Sequence, residues 1–276
     1  MAEGPLRWEV TAGVAEVVID HPPTNLVDGA FIVALRELLD ALEHDDGARV
    51  VLFSSADPDF FLMHGDVHGI LAIPRGARSR ASEPNVAAAL FERLHRSDLV
   101  SIAVVDGAAR GGGAEFLAAV DLRLGSERAV LGQPEVAMGI LPGAGGTARL
   151  PHLLGRSRAL DVILSGRDVE PDEAVRIGWL DRAFPHAALG REALALARHV
   201  AAMPPASIAA VKHVVDISLR SFEQALVDET DAFGALTAVG EHVAPMQRFL
   251  ESGGQTREGE TTRWDEIMRA TRDELT

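Results

Sequence analysis

The spacing of apolar positions changes several times along the chain, and each change predicts an element. Val14 to Ile19 is a β-branched run between Gly13 and the turn sequence His21-Pro22-Pro23, which predicts a strand that stops where proline removes ladder donors. From Phe31 to His44, the apolar residues Phe31, Ile32, Leu35, Leu38, Leu39 and Leu42 recur at helical spacing, and Arg49 to Phe53 returns to a short apolar strand. Ser101 to Val105 reads as a further strand. It is followed by Gly107, the triplet Gly111-Gly112-Gly113, a helical stretch from Ala114 to Val120 and a strand at Leu122 to Leu124. This alternation places the chain in the α/β class. Gly69 to Ser97 carries Pro74, Gly76, several arginines, Ser79, Ser82 and Pro84, which predicts a mobile loop followed by one helix from Val86 to His95.

Beyond Gly145 the pattern becomes helical: Ser157 to Leu164, Pro171 to Ile177, Ala187 to Met203, Ser207 to Leu219, and a long stretch from Phe222 toward Phe249. The apolar stripe of that last helix suits a partner subunit and the chain's own core equally. Ser252 to Thr262 reads as flexible, and Trp264 to Leu275 as a final helix. The expected division is a core over residues 1–200 and a C-terminal helical region over 201–276.

Composition narrows the chemistry. The chain has 276 residues, 26 Lys and Arg against 41 Asp and Glu, and a net charge of −15, with a single lysine, Lys212. Scattered positive charge excludes a basic stripe for nucleic acid but not one anionic ligand. With zero cysteines and zero tyrosines, acid/base and nucleophilic groups are limited to carboxylates, imidazoles, hydroxyls and backbone N–H groups. The N-terminal residues lack a basic head followed by an apolar run, and no uncharged run has the length of a bilayer span, so the expectation is a cytoplasmic chain without a membrane partner.

The glycine triplet precedes a helix, so its N–H groups can face an anion or a developing oxyanion from the helix's positive end. Glu115 follows in an apolar run, where a structural carboxylate would want an arginine. Gly132-Gln133-Pro134-Glu135 supplies a second carboxylate in an apolar, proline-broken segment. Two such carboxylates can have split pKa values and share acid/base work on one substrate.

Gly107-Ala108-Ala109-Arg110-Gly111-Gly112-Gly113-Ala114-Glu115, then Gly132-Gln133-Pro134-Glu135, then Pro142-Gly143-Ala144-Gly145-Gly146-Thr147-Ala148-Arg149-Leu150-Pro151 resemble the ordered signatures of the crotonase (enoyl-CoA hydratase/isomerase) superfamily. The likeness extends from Pro22-Pro23-Thr24-Asn25-Leu26 to about Phe249. It implies an α/β spiral of repeated β-β-α units with a C-terminal helical trimerisation region, assembled as a homotrimer or a dimer of trimers, acting on an acyl-CoA. No cofactor is implied, since coenzyme A enters with the substrate. The resemblance assigns the two oxyanion N–H groups to Gly112 and to Met63 of Phe61-Leu62-Met63-His64-Gly65-Asp66, the water to Glu115 and proton delivery to Glu135. It adds Asn25, Leu26, His64, Asp66, Gly111, Pro142 and Gly143 as substrate-binding positions.

His64 departs from the family's usual glycine; a positive φ there would strain it or reshape the loop. His64, Asp66 and His68 have a spacing that would suit a metal on a helix, but with no third ligand indicated the expectation is no metal. Asp66 is expected to bond within its loop. Arginines of the 75 to 80 region or of another subunit are left as the source of CoA phosphate contacts. The reaction implied by two glutamates is addition of water to a 2-enoyl-CoA, or its reverse, of the kind used in fatty acid metabolism. An isomerase, an acyl-CoA hydrolase and a non-catalytic acyl-CoA binder are the alternatives left open.

Overall fold

Leu6–Thr11 (β1) and Val14–Ile19 (β2) form an antiparallel hairpin whose turn residues Ala12 and Gly13 both take positive φ, at 50° and 80°. Two successive positive φ values are what the tightest hairpin turns require. The apolar spacing passes over β1, because it is an edge strand on which Arg7, Trp8 and Glu9 are exposed. The computed structural model describes residues 4–72 and 83–219, with isolated positions between 244 and 270.

Gly29–Glu43 (α1) buries Phe31, Ala34, Leu35, Leu38, Leu39 and Leu42, and Asp28 caps it by accepting from the Phe31 N–H at 2.9 Å. Val50–Ser55 (β3) and Phe60–Leu62 (β4) follow, then the short helix Val67–Leu71 (α2) and Val86–Arg96 (α3). Val100–Val105 (β5), buried at every position, leads to Ala108–Arg110 (β6) and Gly112–Ala119 (α4). Leu122–Ser126 (β7) and Val130–Gly132 (β8) lead to a 3-10 turn at Glu135–Met138 and to Gly146–Leu154 (α5). Arg156–Ser165 (α6), Asp168–Val169 (β9), Pro171–Ile177 (α7), Arg182–Phe184 (β10) and His186–Ala201 (α8) come next.

From β3 to β8, successive strands alternate between two sheets. The larger runs β1-β2-β3-β5-β7-β10 and is parallel except for the first hairpin; the smaller runs β4-β6-β8-β9 and is parallel except for its last pair. Between β3 and β8 each turn of the chain therefore gives one strand to each sheet, with helices after β4 and β6, which is the β-β-α spiral. A β5 flanked on both sides by parallel neighbours needs apolar residues on both faces, and Val-Ser-Ile-Ala-Val-Val meets that except at Ser101, which bonds to Asp121 at 2.8 Å.

Every residue of α4 is buried. Its Phe116 is the hub of the aromatic core, with ring centroids 5.1 Å from Phe53, 5.5 Å from Phe91, 6.1 Å from Phe31 and 6.5 Å from Phe61. Three of these pairs are edge-on, the arrangement ring quadrupoles favour. The chain divides into two compact units, Met1–Arg198 and His199–Thr276, the second containing Pro205–Ser218 (α9). The expected helix from Phe222 toward Phe249 and the segments beyond Ser252 fall outside the described residues, apart from isolated positions. Among the described residues no single helix is long and apolar enough to cross a membrane.

Phe116→Ala is expected to cost about 3–5 kcal/mol of stability, and Phe116→Leu clearly less, by urea denaturation. Equal losses would mean that apolar volume without the ring restores nothing at this position.

Candidate active site

The glycine triplet lies flush against the chain after β4. A Cβ on Gly113 would stand 1.8 Å from the Leu62 carbonyl oxygen, and one on Gly112 would stand 3.2 Å from the Gly65 nitrogen. Gly111, at φ +55°, faces two groups at once: an added Cβ would lie 2.8 Å from His64 Cβ and 3.1 Å from Glu135 Oε1. No residue larger than glycine fits this passage. Gly111 itself is the N-cap of α4, and its N–H donates to the Gly132 carbonyl at 2.9 Å.

The N–H expected to serve as the first oxyanion donor is otherwise engaged. Met63 donates to the Asn25 carbonyl at 2.8 Å, so its N–H is not available to a ligand. The register comes from Val27, which forms a parallel bridge with Gly65 and donates to the His64 carbonyl at 3.1 Å. Two residues beyond Met63, the Gly65 nitrogen lies beside Gly112, and neither of these N–H groups meets an acceptor among the described residues.

Asn25 is a brace. It is 1% exposed and takes φ 53°, a region asparagine tolerates. Its Nδ2 donates to Ser55 Oγ and to the Phe60 and Phe61 carbonyls at 2.9, 3.1 and 3.2 Å, while Oδ1 accepts from the His21 N–H at 2.8 Å. The side-chain amide is thus engaged on both its nitrogen and its oxygen inside the protein. Leu26 beside it is half-buried. His64 takes no positive φ, since among the described non-glycine residues only Ala12, Asn25 and Gln255 do, and its Nδ1 bonds to the Gly65 carbonyl at 3.0 Å. Asp66 bonds within its loop as expected, capping α2 through the His68 and Gly69 N–H groups at 3.0 and 3.1 Å. The arginines of the 75 to 80 region lie outside the described residues.

Glu115 and Glu135 are both buried, at 4% and 6% exposure, and they are supported differently. Glu115 projects from the first turn of α4, and its Oε1 accepts from the Ala144 and Gly146 N–H groups at 2.7 and 2.8 Å. The arginine a buried carboxylate would want is replaced by main chain. Burial pushes its carboxyl above the ordinary glutamate range, and the two N–H donors oppose that. Ala144 belongs to the loop between the 3-10 turn and α5, where Pro142 is buried and Gly143 exposed, and Gly146 is the first residue of α5.

Glu135 opens the 3-10 turn, where Pro134 stops the strand direction of β8. Burial first, and then the charge of Glu115, push its carboxyl up to about 7, against the pull of its own backbone N–H. Fully buried Gln133, with its amide nitrogen turned toward Glu135, donates to both carboxylate oxygens at 3.0 Å. Gln133 had no role assigned from sequence. A buried amide two residues from a buried acid is the signal that marks it, as a glycine preceding the helix-capping Asp66 marks Gly65. Among the described residues no group of three His, Asp or Glu side chains gathers to hold a metal.

A family model described as enoyl-CoA hydratase/isomerase matches residues 9–258. The chain belongs to the enoyl-CoA hydratase/isomerase family. It thus has the crotonase fold. Among solved structures it is similar to a candidate enoyl-CoA hydratase of Streptomyces avermitilis, at 36% identity over 98% of this chain and 99% of that one, with a TM-score of 0.72. Pseudomonas aeruginosa DspI matches at 31% identity over 90% of this chain and 94% of its own, with a TM-score of 0.82. An enoyl-CoA hydratase of Geobacillus kaustophilus matches at 27% identity over 91% and 95%, also at 0.82.

Glu135 links the site to stability with a definite sign. Its folded-state pKa is raised from 4.5 to about 7, so the stability carried by the protonated form is present below 4.5 and lost as pH rises through about 7. Glu135→Gln is therefore expected to stabilise the family member at pH 8 by on the order of 2 kcal/mol and to change little at pH 5, in urea titrations. The same difference at both pH values would contradict a carboxyl that titrates late.

Proposed function

We propose that the chain adds water to a 2-enoyl-CoA thioester to give a 3-hydroxyacyl-CoA, or runs the reverse. The observation that carries this reading is the pair of buried carboxylates with unequal support, Glu115 held by two N–H donors and Glu135 pushed up to about 7. Unequal environments assign one group as base and the other as acid.

In this reading the thioester oxygen accepts from Gly65 and Gly112 N–H groups, with Gly112 at the positive end of α4. Addition at the β-carbon shifts negative charge onto that oxygen, so donors fixed in place beforehand stabilise the transition state more than the substrate. Glu115, whose carboxylate form the Ala144 and Gly146 N–H groups favour against burial, takes a proton from water as the water oxygen bonds to the β-carbon. Glu135, protonated below about 7 and aimed by Gln133, gives its proton to the α-carbon. Proton exchange with solvent restores both groups. The reaction is redox-neutral and calls for no group beyond the coenzyme A of the substrate. A trimer or pair of trimers belongs to the same reading, supported by the family resemblance and by exposed Val211, Val215 and Leu219 at helical spacing on α9.

The experiment is loss of the conjugated-thioester absorbance of crotonyl-CoA and longer 2-enoyl-CoAs. Glu115→Gln and Glu135→Gln are each expected to lower kcat about 10²- to 10⁴-fold. Activity is expected to fall as pH rises through about 7, where Glu135 loses its proton, and to fall again on the acid side as Glu115 gains one. A Glu115→Gln variant that still shifts the double bond of a 3-enoyl-CoA, with no hydration by the wild type, would replace this reading with an isomerase.

A further inference from the structure

The loop that supplies donors to Glu115 has little packing of its own at Gly143. Among the described residues a Cβ placed there would meet only the Leu141 carbonyl, at 3.8 Å, and the residue is exposed. One side chain reaches it from 58 residues away: Asn85 Nδ2 donates to the Gly143 carbonyl at 2.7 Å. The carbonyl that Asn85 engages and the Ala144 N–H that Glu115 engages are the two ends of the same peptide group. The result is a continuous chain, Asn85 amide to Gly143 carbonyl, then Ala144 N–H to Glu115 Oε1 at 2.7 Å.

We propose that Asn85 is a positioning residue that fixes the Gly143–Ala144 peptide and thereby raises the acidity of Glu115; this rests on Glu115 being the base. The peptide is planar and resonance-coupled, so a hydrogen bond at its oxygen polarises its N–H. Such coupling strengthens the next bond by roughly 10–30%. The sharpened donor favours the carboxylate form of Glu115 and opposes the effect of burial.

Residue type supports the assignment. Asn85 Oδ1 accepts from the Ala88 N–H at 3.0 Å and so caps α3. Serine or aspartate would cap as well, but only asparagine also presents an N–H to Gly143. A second link, between Arg149 of α5 and Glu92 of α3, ties the same helix to the far end of the loop. Charged groups on the elements around α4 do not substitute for this control. Arg149 is paired with Glu92, Arg110 of β6 with Asp168 at 2.7 Å, and His95 of α3 bonds to the Ala119 carbonyl at 3.3 Å. β4 carries no titratable side chain, and Glu135 is the group whose charge is coupled to that of Glu115.

The test compares wild type with Asn85→Ser, which keeps the cap but replaces the amide N–H that reaches Gly143 with a shorter hydroxyl, and Asn85→Ala, which loses both. The Glu115 carboxyl is titrated by carbon-13 NMR, assigned through Glu115→Gln, beside steady-state kinetics with crotonyl-CoA. Both variants are expected to move the Glu115 titration upward by about half a pH unit, with only Asn85→Ala lowering Tm. The acid limb of the pH profile should move by the same amount, with kcat down about fivefold and KM within about twofold. An unmoved Glu115 titration, or a kcat loss that appears only where Tm falls, overturns the proposal. The titration needs no turnover: a wild type that never hydrates enoyl-CoA defeats the functional reading, whereas a hydrating wild type with an unmoved titration defeats this link alone.

Discussion

The close approach of the Gly111-Gly112-Gly113 backbone to residues 62–65 is the contact on which the site depends. With the Leu62 carbonyl where the Cβ of Gly113 would be, α4 has no side chain separating it from the strand-end segment beside it. That contact sets where α4 begins, and so where its dipole points and where Glu115 leaves its first turn. Phe116, the next residue, turns the other way into the aromatic core and fixes the rotation of the helix. One short helix thus presents a carboxylate on one side and the centre of the hydrophobic core on the other, and the stability of that core holds the geometry of the site.

The chain carries a net charge of −15, yet it buries two of its acids close together without an arginine between them. Burial and mutual repulsion work against both, and the protein answers with different devices. Two main-chain donors offset part of the burial that raises Glu115, whereas Glu135 has only its own backbone N–H against burial and the charge of Glu115, and is pushed up to about 7. Arginine would have neutralised either carboxyl and flattened the difference between them. Amides leave the difference in place, and the difference is what an acid and a base sharing one substrate require.

Much of this was legible from local pattern. The α1 and β5 segments read correctly because their periodicity is set by the burial they undergo, and the two glutamates were visible as acids in apolar runs. What escaped depends on contacts distant in sequence. The strand β1 alternates too little, being an edge with polar residues facing out. Met63 and Gly65 are indistinguishable as N–H donors until Val27 pairs beside Gly65 and Asn25 takes up the Met63 N–H. Asn85 reads as an ordinary helix cap, since no local feature announces that its other amide atom meets Gly143.

The anchoring of Glu115 by Ala144 and Gly146 uses atoms that every amino acid except proline possesses. Side chains exposed nearby, such as Met138, Ile140 and Leu141, make no part of that anchor and can be exchanged without removing it. Substitution at those positions can therefore alter the surface beside the carboxylate while the backbone preserves its support. Such a division leaves ordinary point mutation free to vary the surroundings of a buried acid with little risk to the acid itself.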